Sequence, residues 1–228
     1  MRKAIKSFAM IEEDRIAVAL SGGKDSLTLL HFLHKINGFG VRPFRITAFF
    51  VSGVHSCGPS MTKDFLEGHV RQMGIELVIL GEGEGKMPTE CYSCARVRRK
   101  MIFDAMRNRG ITTVAFGHHK DDVNETLLLN LLQKGEFAAM EPKIYFYRYG
   151  VTLIRPLYFV EEKEIVSFAR GAGFLRFVCQ CPIGQHSKRK ETKMLLEFIQ
   201  KKFPHTKTNL FHAIENYGSK KALLEPKK

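Results

Sequence analysis

The sequence predicts an α/β protein with an open, mostly parallel β-sheet and a short helical extension at its C-terminus. Short apolar segments alternate with helical patterns from Arg15 to Leu132, which is typical of a parallel sheet with crossover helices. A glycine-rich turn follows the first of these apolar segments. The 228 residues, 44% of them hydrophobic and 26% charged, suit a globular chain. We therefore expect one domain over residues 1–228, in which residues 186–228 form the extension.

The boundaries of the predicted elements follow from the spacing of apolar residues. Short apolar runs between turns predict strands at Arg15–Leu20, Ile46–Val51, Glu76–Leu80 and Thr113–Phe116. Apolar positions at helical spacing predict helices over Leu27–Ile36, Met61–Met73, Cys91–Arg109, Val123–Leu132, Glu161–Gly171 and Glu191–Lys202. The segment Lys143–Pro156 predicts a hairpin or an extended excursion with its turn at Tyr149–Gly150, and Ile154–Leu157 is expected to return to the sheet.

The charge of the chain restricts its partners. Lys and Arg outnumber Asp and Glu by 36 to 23, so the formal charge is +13, which favours a polyanionic partner. The longest apolar runs, Thr126–Leu132 and Ile46–Val51, are too short to cross a bilayer, so no membrane contact is expected. No apolar stretch follows the basic N-terminus, which predicts a cytoplasmic protein without a signal peptide.

A candidate phosphate-binding loop, Ser21-Gly22-Gly23-Lys24-Asp25-Ser26, lies between the first predicted strand and the first predicted helix. The glycine pair lets the backbone approach a ligand closely, and the helix N-terminus favours an anion there. Ser21, Lys24 and Ser26 add side-chain donors. The spacing differs from that of a Walker A loop, and the hexapeptide predicts a cradle for pyrophosphate.

A second polar segment, Gly117-His118-His119-Lys120-Asp121-Asp122, directly follows the fourth predicted strand. The carboxyl ends of parallel strands border the ligand crevice, and carboxylates there suit Mg²⁺ or general-base chemistry. A helix cap is the alternative role for either aspartate. We expect one carboxylate to cap the helix and the other, Asp122, to reach the site.

The five cysteines favour metal binding or redox chemistry over a disulfide framework, since their number is odd and their spacing uneven. Cys91 and Cys94 form a Cys-x-x-Cys motif at a predicted helix start, and Cys179 and Cys181 lie far along the chain. Four thiolates would allow a closed structural zinc site. The one-residue gap between Cys179 and Cys181 favours three ligands and an open position instead. Cys57 is interpreted as a lone loop thiol.

Basic residues cluster in two further places. Arg96, Arg98, Arg99 and Lys100 follow the Cys-x-x-Cys motif, and Lys188, Arg189 and Lys190 open a second basic stretch that continues to Lys202. We interpret the second stretch as a contact to a nucleic-acid backbone, with a solvated helix face as the alternative. The tyrosines of the hairpin are interpreted as strand residues, although they could also stack on bases.

Several of these motifs together resemble a known family. The Ser21–Ser26 hexapeptide resembles the PP-loop of ATP pyrophosphatases, which split ATP between its α and β phosphates. The order of the motifs over about residues 10–215 is similar to that of the tRNA 2-thiocytidine synthetases within that superfamily. The matching segments are Ser21–Ser26, Cys91–Arg99, Gly117–Asp122 with Thr126–Asn130, Met140–Lys143 and Ile154–Leu157.

The resemblance implies a Rossmann-like PP-loop fold, of the adenine nucleotide alpha hydrolase type, and assigns roles to residues. The loop Ser21–Ser26, with Gly117 and His118, would bind ATP, and the adenine would lie near Phe49–Ser52. Asp25 would help to arrange Mg²⁺ and the reacting groups, and Asp122 is the second carboxylate expected to be catalytic. Arg98 matches a basic active-site position that would stabilise charge on the adenylated base or on the departing AMP.

The resemblance also implies a [4Fe–4S] cluster held by three cysteines, with one iron left free to carry sulfur. Cys91 and Cys94 would be two ligands. The third is expected to be Cys181, with Cys179 as the substitute, because Cys181-Pro182 with Ser187 and Arg189 is similar to the pattern of the thiouridine-forming branch. In this region the chain departs from the Cys-x-x-Cys of the thiocytidine branch.

The expected activity is ATP-dependent 2-thiolation of a tRNA base, with cytidine favoured over uridine. A PP-loop ligase or amidating enzyme for a small molecule, with a structural zinc, is the main alternative, and a zinc-stabilised RNA-binding module is another. The expected partners are tRNA and a sulfur donor, either a cysteine desulfurase or sulfide. A homodimer is carried over from the family.

Overall fold

The structure, a computed structural model, describes residues 1–52, 61–81, 91–174 and 187–219. Within these ranges the strands are β1 Arg15–Leu20, β2 Arg45–Val51, β3 Glu76–Leu80, β4 Thr113–Ala115, β5 Lys143–Phe146 and β6 Val151–Ile154. The helices are α1 Arg2–Ser7, α2 Lys24–Ile36, α3 Met61–Gln72, α4 Cys91–Arg107, α5 Lys120–Lys134, α6 Glu162–Gly171, α7 Lys188–Lys202 and α8 Thr206–Tyr217.

The strands form one six-stranded sheet in the order β3-β2-β1-β4-β6-β5. Every neighbouring pair is parallel except β5 and β6, which form the predicted hairpin. The chain moves outward from β1 to β3 and then returns to β4 on the other side of β1. The crevice between the carboxyl ends of β1 and β4 is therefore a topological switch point, where open α/β sheets bind ligands.

Both faces of the sheet are covered, so β1 is apolar at almost every position instead of alternating. Ile16, Val18 and Leu20 belong to a core shared with helices α2, α3, α5, α6 and α8. Ala17 and Ala19 face a second core, formed mainly by α4 and the hairpin. This burial on both sides holds the carboxyl end of β1, and the loop that follows it, in a rigid frame.

Several predicted boundaries are wrong at the site edge, and helix α2 begins at Lys24 rather than Leu27. Helix α5 begins at Lys120 rather than Val123, because His119 is extended and caps it. Helix α7 begins at Lys188 rather than Glu191, with Ser187 as its N-cap. The strand predicted over Ile154–Leu157 ends at Ile154, because Arg155 and Tyr158 form a turn by a backbone hydrogen bond. Polar N-terminal turns carry little apolar periodicity, so periodicity alone places such helix starts too late.

The C-terminal extension contributes α7 and α8 in the described residues. These helices contact each other and α5, and Phe211 and Ile214 of α8 join the core. No helix in the described residues combines the length and apolar composition needed to cross a membrane.

Candidate active site

The phosphate loop is built at the carboxyl end of β1 by a network of hydroxyl groups. Ser26 Oγ accepts from the backbone N of Ser21 at 3.2 Å and donates to the carbonyl of Gly23 at 3.0 Å. Ser21 Oγ lies 3.2 Å from Ser26 Oγ and accepts from the N of Gly23 at 3.3 Å. These bonds close the loop on itself at the start of α2, so the first N–H groups of that helix face the switch point.

Glycine is required at two positions around this loop. Gly22 has a φ of +78°, a conformation that residues with a side chain rarely adopt. Gly117, after β4, lies against the loop from the other side of the crevice. A Cβ at Gly117 would come within 2.9 Å of the carbonyl carbon of Asp25 and 3.0 Å of the N of Ser26. The structure thus brings the two predicted ATP-binding segments into backbone contact.

The two adjacent aspartates do not divide their roles as predicted. Asp122, the residue predicted to reach the site, is also the capping carboxylate: its Oδ2 accepts from the N of His119 at 2.8 Å. The same oxygen lies 3.4 Å from Nε2 of His119, which lies 3.8 Å from Asp25. Asp121 instead turns toward α6 and α8, where it accepts from the N of Glu162 and the Nζ of Lys207, both at 2.7 Å. The expectation of one capping and one site carboxylate is therefore wrong, because Asp122 makes the cap within the site.

Arg189 lies at the same carboxylate. Its Nη2 is 2.5 Å from Oδ1 of Asp122, and its Nε is 3.6 Å from Oε2 of Glu125. Burial alone would raise the pKa of Asp122, but the charges of His119 and Arg189 outweigh it and hold the pKa below its usual value. Burial and the charge of Asp122 raise the pKa of Glu125 to about 7. The site therefore contains one carboxyl group held ionised and another that exchanges a proton near neutral pH.

Arg189 thus differs in position from Lys188 and Lys190, with which the sequence grouped it. Lys188 is exposed and pairs with Glu191 on the outside of α7, and Lys190 is exposed as well. The three residues do not form one surface, because neighbours on a helix point in different directions.

Two further side chains complete the crevice, the half-buried imidazole of His118 and the buried guanidinium of Arg155. Burial lowers the pKa of His118 to about 3, so its imidazole is neutral at physiological pH. Burial and the charge of Arg99 lower the pKa of Arg155 to about 10. Within the described residues, Nδ1 of His118 and Nε of Arg155 are buried without a hydrogen-bond partner. Buried polar atoms of this kind are costly unless a ligand or water satisfies them.

A chain of ion pairs connects the phosphate loop to α7. Nζ of Lys24 lies 2.9 Å from Oδ1 of Asp25 and 3.1 Å from Oε1 of Glu162, at the start of α6. The other oxygen of Glu162 lies 2.6 Å from Nζ of Lys193. Burial would raise the pKa of Glu162, yet the two lysines lower it to about 2, so the carboxylate is ionised at neutral pH.

Glu125, Arg155, Glu162 and Lys193 were not predicted as site residues. Arg155 lies within the matched segment Ile154–Leu157, and Lys193 lies within the second basic stretch, so the sequence contained a signal for both. Glu162 had none, because Lys24, its partner, is 138 residues away in the chain.

The predicted metal ligands are only partly described. Cys91 and Cys94 lie in the first turn of α4, three residues apart. Cys94 is half-buried, as are Arg98 and Arg99 on the same helix. The charge of Arg99 acts on Arg155, which places α4 beside the crevice. Cys57, Cys179 and Cys181 lie outside the described residues, and within those residues no cluster of three metal-binding side chains forms.

The predicted adenine position, Phe49–Ser52, is also only partly accessible. The side chains of Phe49, Phe50 and Val51 are buried in the cores, and Ser52 alone is half-buried at the carboxyl end of β2. A nucleotide could therefore contact this segment at Ser52 and the adjoining backbone, but not along the strand.

An open parallel sheet with a Gly-Gly phosphate loop and a carboxylate cluster at its switch point defines a nucleotide-binding α/β protein. A model of the PP-loop domain matches residues 1–178. The tRNA-cytidine(32) 2-sulfurtransferase of Geobacter metallireducens is 36% identical over 225 residues, 94% of this chain and 86% of that protein. The tRNA-cytidine(32) 2-sulfurtransferase of Syntrophotalea carbinolica is 37% identical over 225 residues, again 94% of this chain and 86% of that protein. The chain belongs to the PP-loop domain family and, within it, to the family of the tRNA-cytidine(32) 2-sulfurtransferases.

Solved structures agree on the fold. The U34-tRNA thiolase NcsA from Methanococcus maripaludis, solved with its [4Fe-4S] cluster, superposes with a TM-score of 0.73 at 22% identity and covers 95% of this chain and 77% of its own. An NH3-dependent NAD synthetase from Campylobacter jejuni superposes with a TM-score of 0.51 at 16% identity, over 98% of this chain and 93% of its own. The predicted PP-loop fold is confirmed.

Proposed function

We propose that this protein is an ATP-dependent tRNA 2-thiolase that converts a cytidine to 2-thiocytidine. The observation that carries the proposal is its similarity to tRNA-cytidine(32) 2-sulfurtransferases along 94% of its length, at 36% identity. The closed phosphate loop at the switch point supports an ATP-dependent reaction. The formal charge of +13 supports a tRNA substrate.

The chemical task is to turn the C2 oxygen of the base into a leaving group. Attack of this oxygen on the α-phosphate of ATP forms the adenylated base and releases pyrophosphate. Sulfur then replaces the oxygen at C2, and AMP departs. The loop from Ser21 to Ser26 holds the pyrophosphate with its N–H groups and hydroxyls. Arg98 stabilises charge on the adenylated base or AMP.

Magnesium fits the carboxylates at the switch point. Asp25 and Asp122 offer hard oxygen ligands that both lie within 4 Å of Nε2 of His119, and Mg²⁺ prefers such oxygens together with those of phosphates. The low pKa of Asp122 keeps this ligand ionised. His118 is neutral, and its Nδ1, which has no hydrogen-bond partner among the described residues, is a candidate contact to the nucleotide.

An iron–sulfur cluster fits the start of α4. Cys91 and Cys94 lie one turn apart on a helix that borders the crevice, which is suitable for two thiolate ligands. Cys181 would be the third ligand, with Cys179 as the substitute. When bound, the cluster supplies the sulfur that replaces the base oxygen. The sulfur itself comes from a cysteine desulfurase or from sulfide.

The remaining proposals concern the surroundings of the enzyme. Lys188 and Lys190 contact tRNA phosphates from the exposed side of α7. The protein acts in the cytoplasm, without a membrane partner, as a homodimer.

The proposal is tested by measuring 2-thiocytidine in tRNA by mass spectrometry after anaerobic incubation with ATP, Mg²⁺ and sulfide. We expect Asp25→Ala to abolish thiolation and pyrophosphate release while the protein keeps its fold. Asp64→Ala, on the exposed surface of α3, is the matched control and should behave as wild type. Thiouridine instead of thiocytidine in the product would overturn the proposed base, and normal pyrophosphate release by Asp25→Ala would overturn the proposed site.

A further inference from the structure

Helix α7 presents two cations on the face that packs against the rest of the protein. Arg189 and Lys193 are four residues apart and half-buried, and the buried residues Thr192 and Leu196 lie on the same face. Lys188 and Lys190, on the same helix, are exposed. The basic stretch therefore has an outward part, Lys188 and Lys190, and an inward part, Arg189 and Lys193.

Both inward cations contact carboxylates that border the phosphate loop. Arg189 pairs with Asp122, which approaches the same nitrogen of His119, Nε2, as Asp25 does. Lys193 pairs with Glu162, and the same carboxylate holds Lys24 of the loop, so one carboxylate separates the two ammonium groups. Glu162 thus contacts both Lys193 and Lys24 of the phosphate loop. In the same way, Asp122 contacts both Arg189 and His119.

The paired cations and carboxylates at α7 suit the binding of an anion together with a metal ion, as in Mg²⁺-bound ATP. Mg²⁺ takes carboxylate ligands, and Asp122 then gives up part of its attraction for Arg189. The phosphates of ATP need cations to offset their charge, and guanidinium and ammonium groups are the donors that bind them most strongly. Arg189 and Lys193 are close by, hydrogen-bonded and preorganised by their present ion pairs.

We propose that Arg189 and Lys193 bind the phosphates of ATP, so that α7 forms the wall of the nucleotide site opposite the loop Ser21–Ser26. This inference rests on the proposed function, since it takes ATP as the ligand. It also reassigns Arg189 from the tRNA surface to the nucleotide site, while Lys188 and Lys190 remain on the outside.

The test is the affinity for the non-cleavable analogue α,β-methylene-ATP with Mg²⁺, measured by calorimetry beside the affinity for AMP. Arg189→Gln and Lys193→Met keep most of the side-chain volume. We expect each to weaken analogue binding by about ten- to a hundredfold, as for a lost hydrogen bond to a charged group. Binding of AMP, which lacks the β and γ phosphates, should weaken less. Lys134→Met, at the exposed end of α5, is the matched control and should bind the analogue as wild type does.

The outcomes separate this inference from the proposed function. Analogue binding by wild type and unchanged binding by both inward variants would overturn the inference and leave the proposed function standing. Unchanged analogue binding with weakened tRNA binding would assign the two cations to the RNA surface and also overturn it. If wild type itself does not bind the analogue, the proposed function fails. Thermal unfolding of each variant shows whether a loss of affinity reflects unfolding. If it does, the conservative variants Arg189→Lys and Lys193→Arg decide the matter. Restored affinity for the analogue in these variants supports the inference, and affinity that stays low contradicts it.

Discussion

At the scale of single residues, the site depends on close contact between two backbone segments. Gly117 lies where any side chain would meet the backbone of Asp25 and Ser26. Backbone atoms cannot move aside without changing the hydrogen bonds of the loop, so this contact determines the position of the cradle relative to β4. The hydroxyls of Ser21 and Ser26 then maintain its shape.

We predict that Gly117→Ala separates the two segments and destabilises the fold by about 1–3 kcal/mol, the usual cost of overpacking. Nucleotide affinity should fall at least tenfold, because the loop is displaced. Gly68→Ala, on α3, is the control: a Cβ there meets no atom within 4 Å, and alanine favours a helix over glycine. Calorimetric binding and urea unfolding check both variants, and unchanged nucleotide affinity in Gly117→Ala would contradict the role of this contact.

At the scale of elements, three helices are connected by one carboxylate. Glu162 opens α6, holds Lys24 at the start of α2 and holds Lys193 on α7. Its backbone N also donates to Asp121 of α5. The N-terminus of α6 is therefore where the phosphate loop and the C-terminal extension are joined.

We predict that Glu162→Gln lowers the free energy of unfolding by about 1–3 kcal/mol at pH 7. The pKa of Glu162 is about 2 in the folded protein and would be near 4.5 when unfolded, so the unfolded state binds the proton more readily. The stabilisation is therefore complete above about pH 5 and is lost as the pH falls toward 2. Urea unfolding of both proteins from pH 7 to pH 3 should show the difference shrinking with acidity, and a constant difference would mean that the charge is not responsible.

Helix α4 supplies the other element-scale prediction, because its first turn carries Cys91 and Cys94. We expect Cys181→Ala to lose both iron and thiolation, since Cys181 is predicted to complete the three-cysteine site. Cys179→Ala should retain most of both. Iron and acid-labile sulfide are measured after anaerobic purification. The reverse pattern would make Cys179 the ligand, and unchanged iron in both variants would contradict convergence with α4.

At the scale of the whole molecule, charge is divided between the interior of the crevice and the surface. Arg189 and Lys193 are half-buried and paired with site carboxylates, whereas Lys188 and Lys190 are exposed on the outer side of α7. The phosphates of a bound polyanion would therefore contact the exposed lysines Lys188 and Lys190 rather than Arg189 and Lys193. The same helix would therefore border the proposed nucleotide site on one side and the proposed tRNA surface on the other.

We predict that Lys188→Ala with Lys190→Ala weakens tRNA binding and reduces the slope of log affinity against log salt by about 1–2, because fewer counterions are released. Affinity for the ATP analogue should not change. Binding measured by fluorescence anisotropy at several salt concentrations checks this. An unchanged slope would mean that the two lysines form only a solvated face.

Much of the architecture was predictable from local patterns. Strands β1 and β3 have the predicted boundaries, and β2 and α6 differ from them by a single residue. The phosphate loop could be recognised because its glycines, hydroxyls and lysine are neighbours in the sequence and its function depends on local backbone geometry. Helix starts such as Lys120 and Lys188 were missed, because capping by His119 and Ser187 leaves no apolar period.

The composition of the site beyond the loop was decided by tertiary structure alone. The pairs Lys24–Glu162 and Arg189–Asp122 join residues 138 and 67 positions apart, and no local pattern specifies such distant partners. The side of α7 that faces inward depends on the packing of Thr192 and Leu196, which separates Arg189 from Lys188 and Lys190. The sequence by itself determined the fold class, the phosphate loop and the family resemblance. The tertiary structure decided which charges meet at the switch point, because electrostatic partners depend on distance in space and on burial rather than on order along the chain.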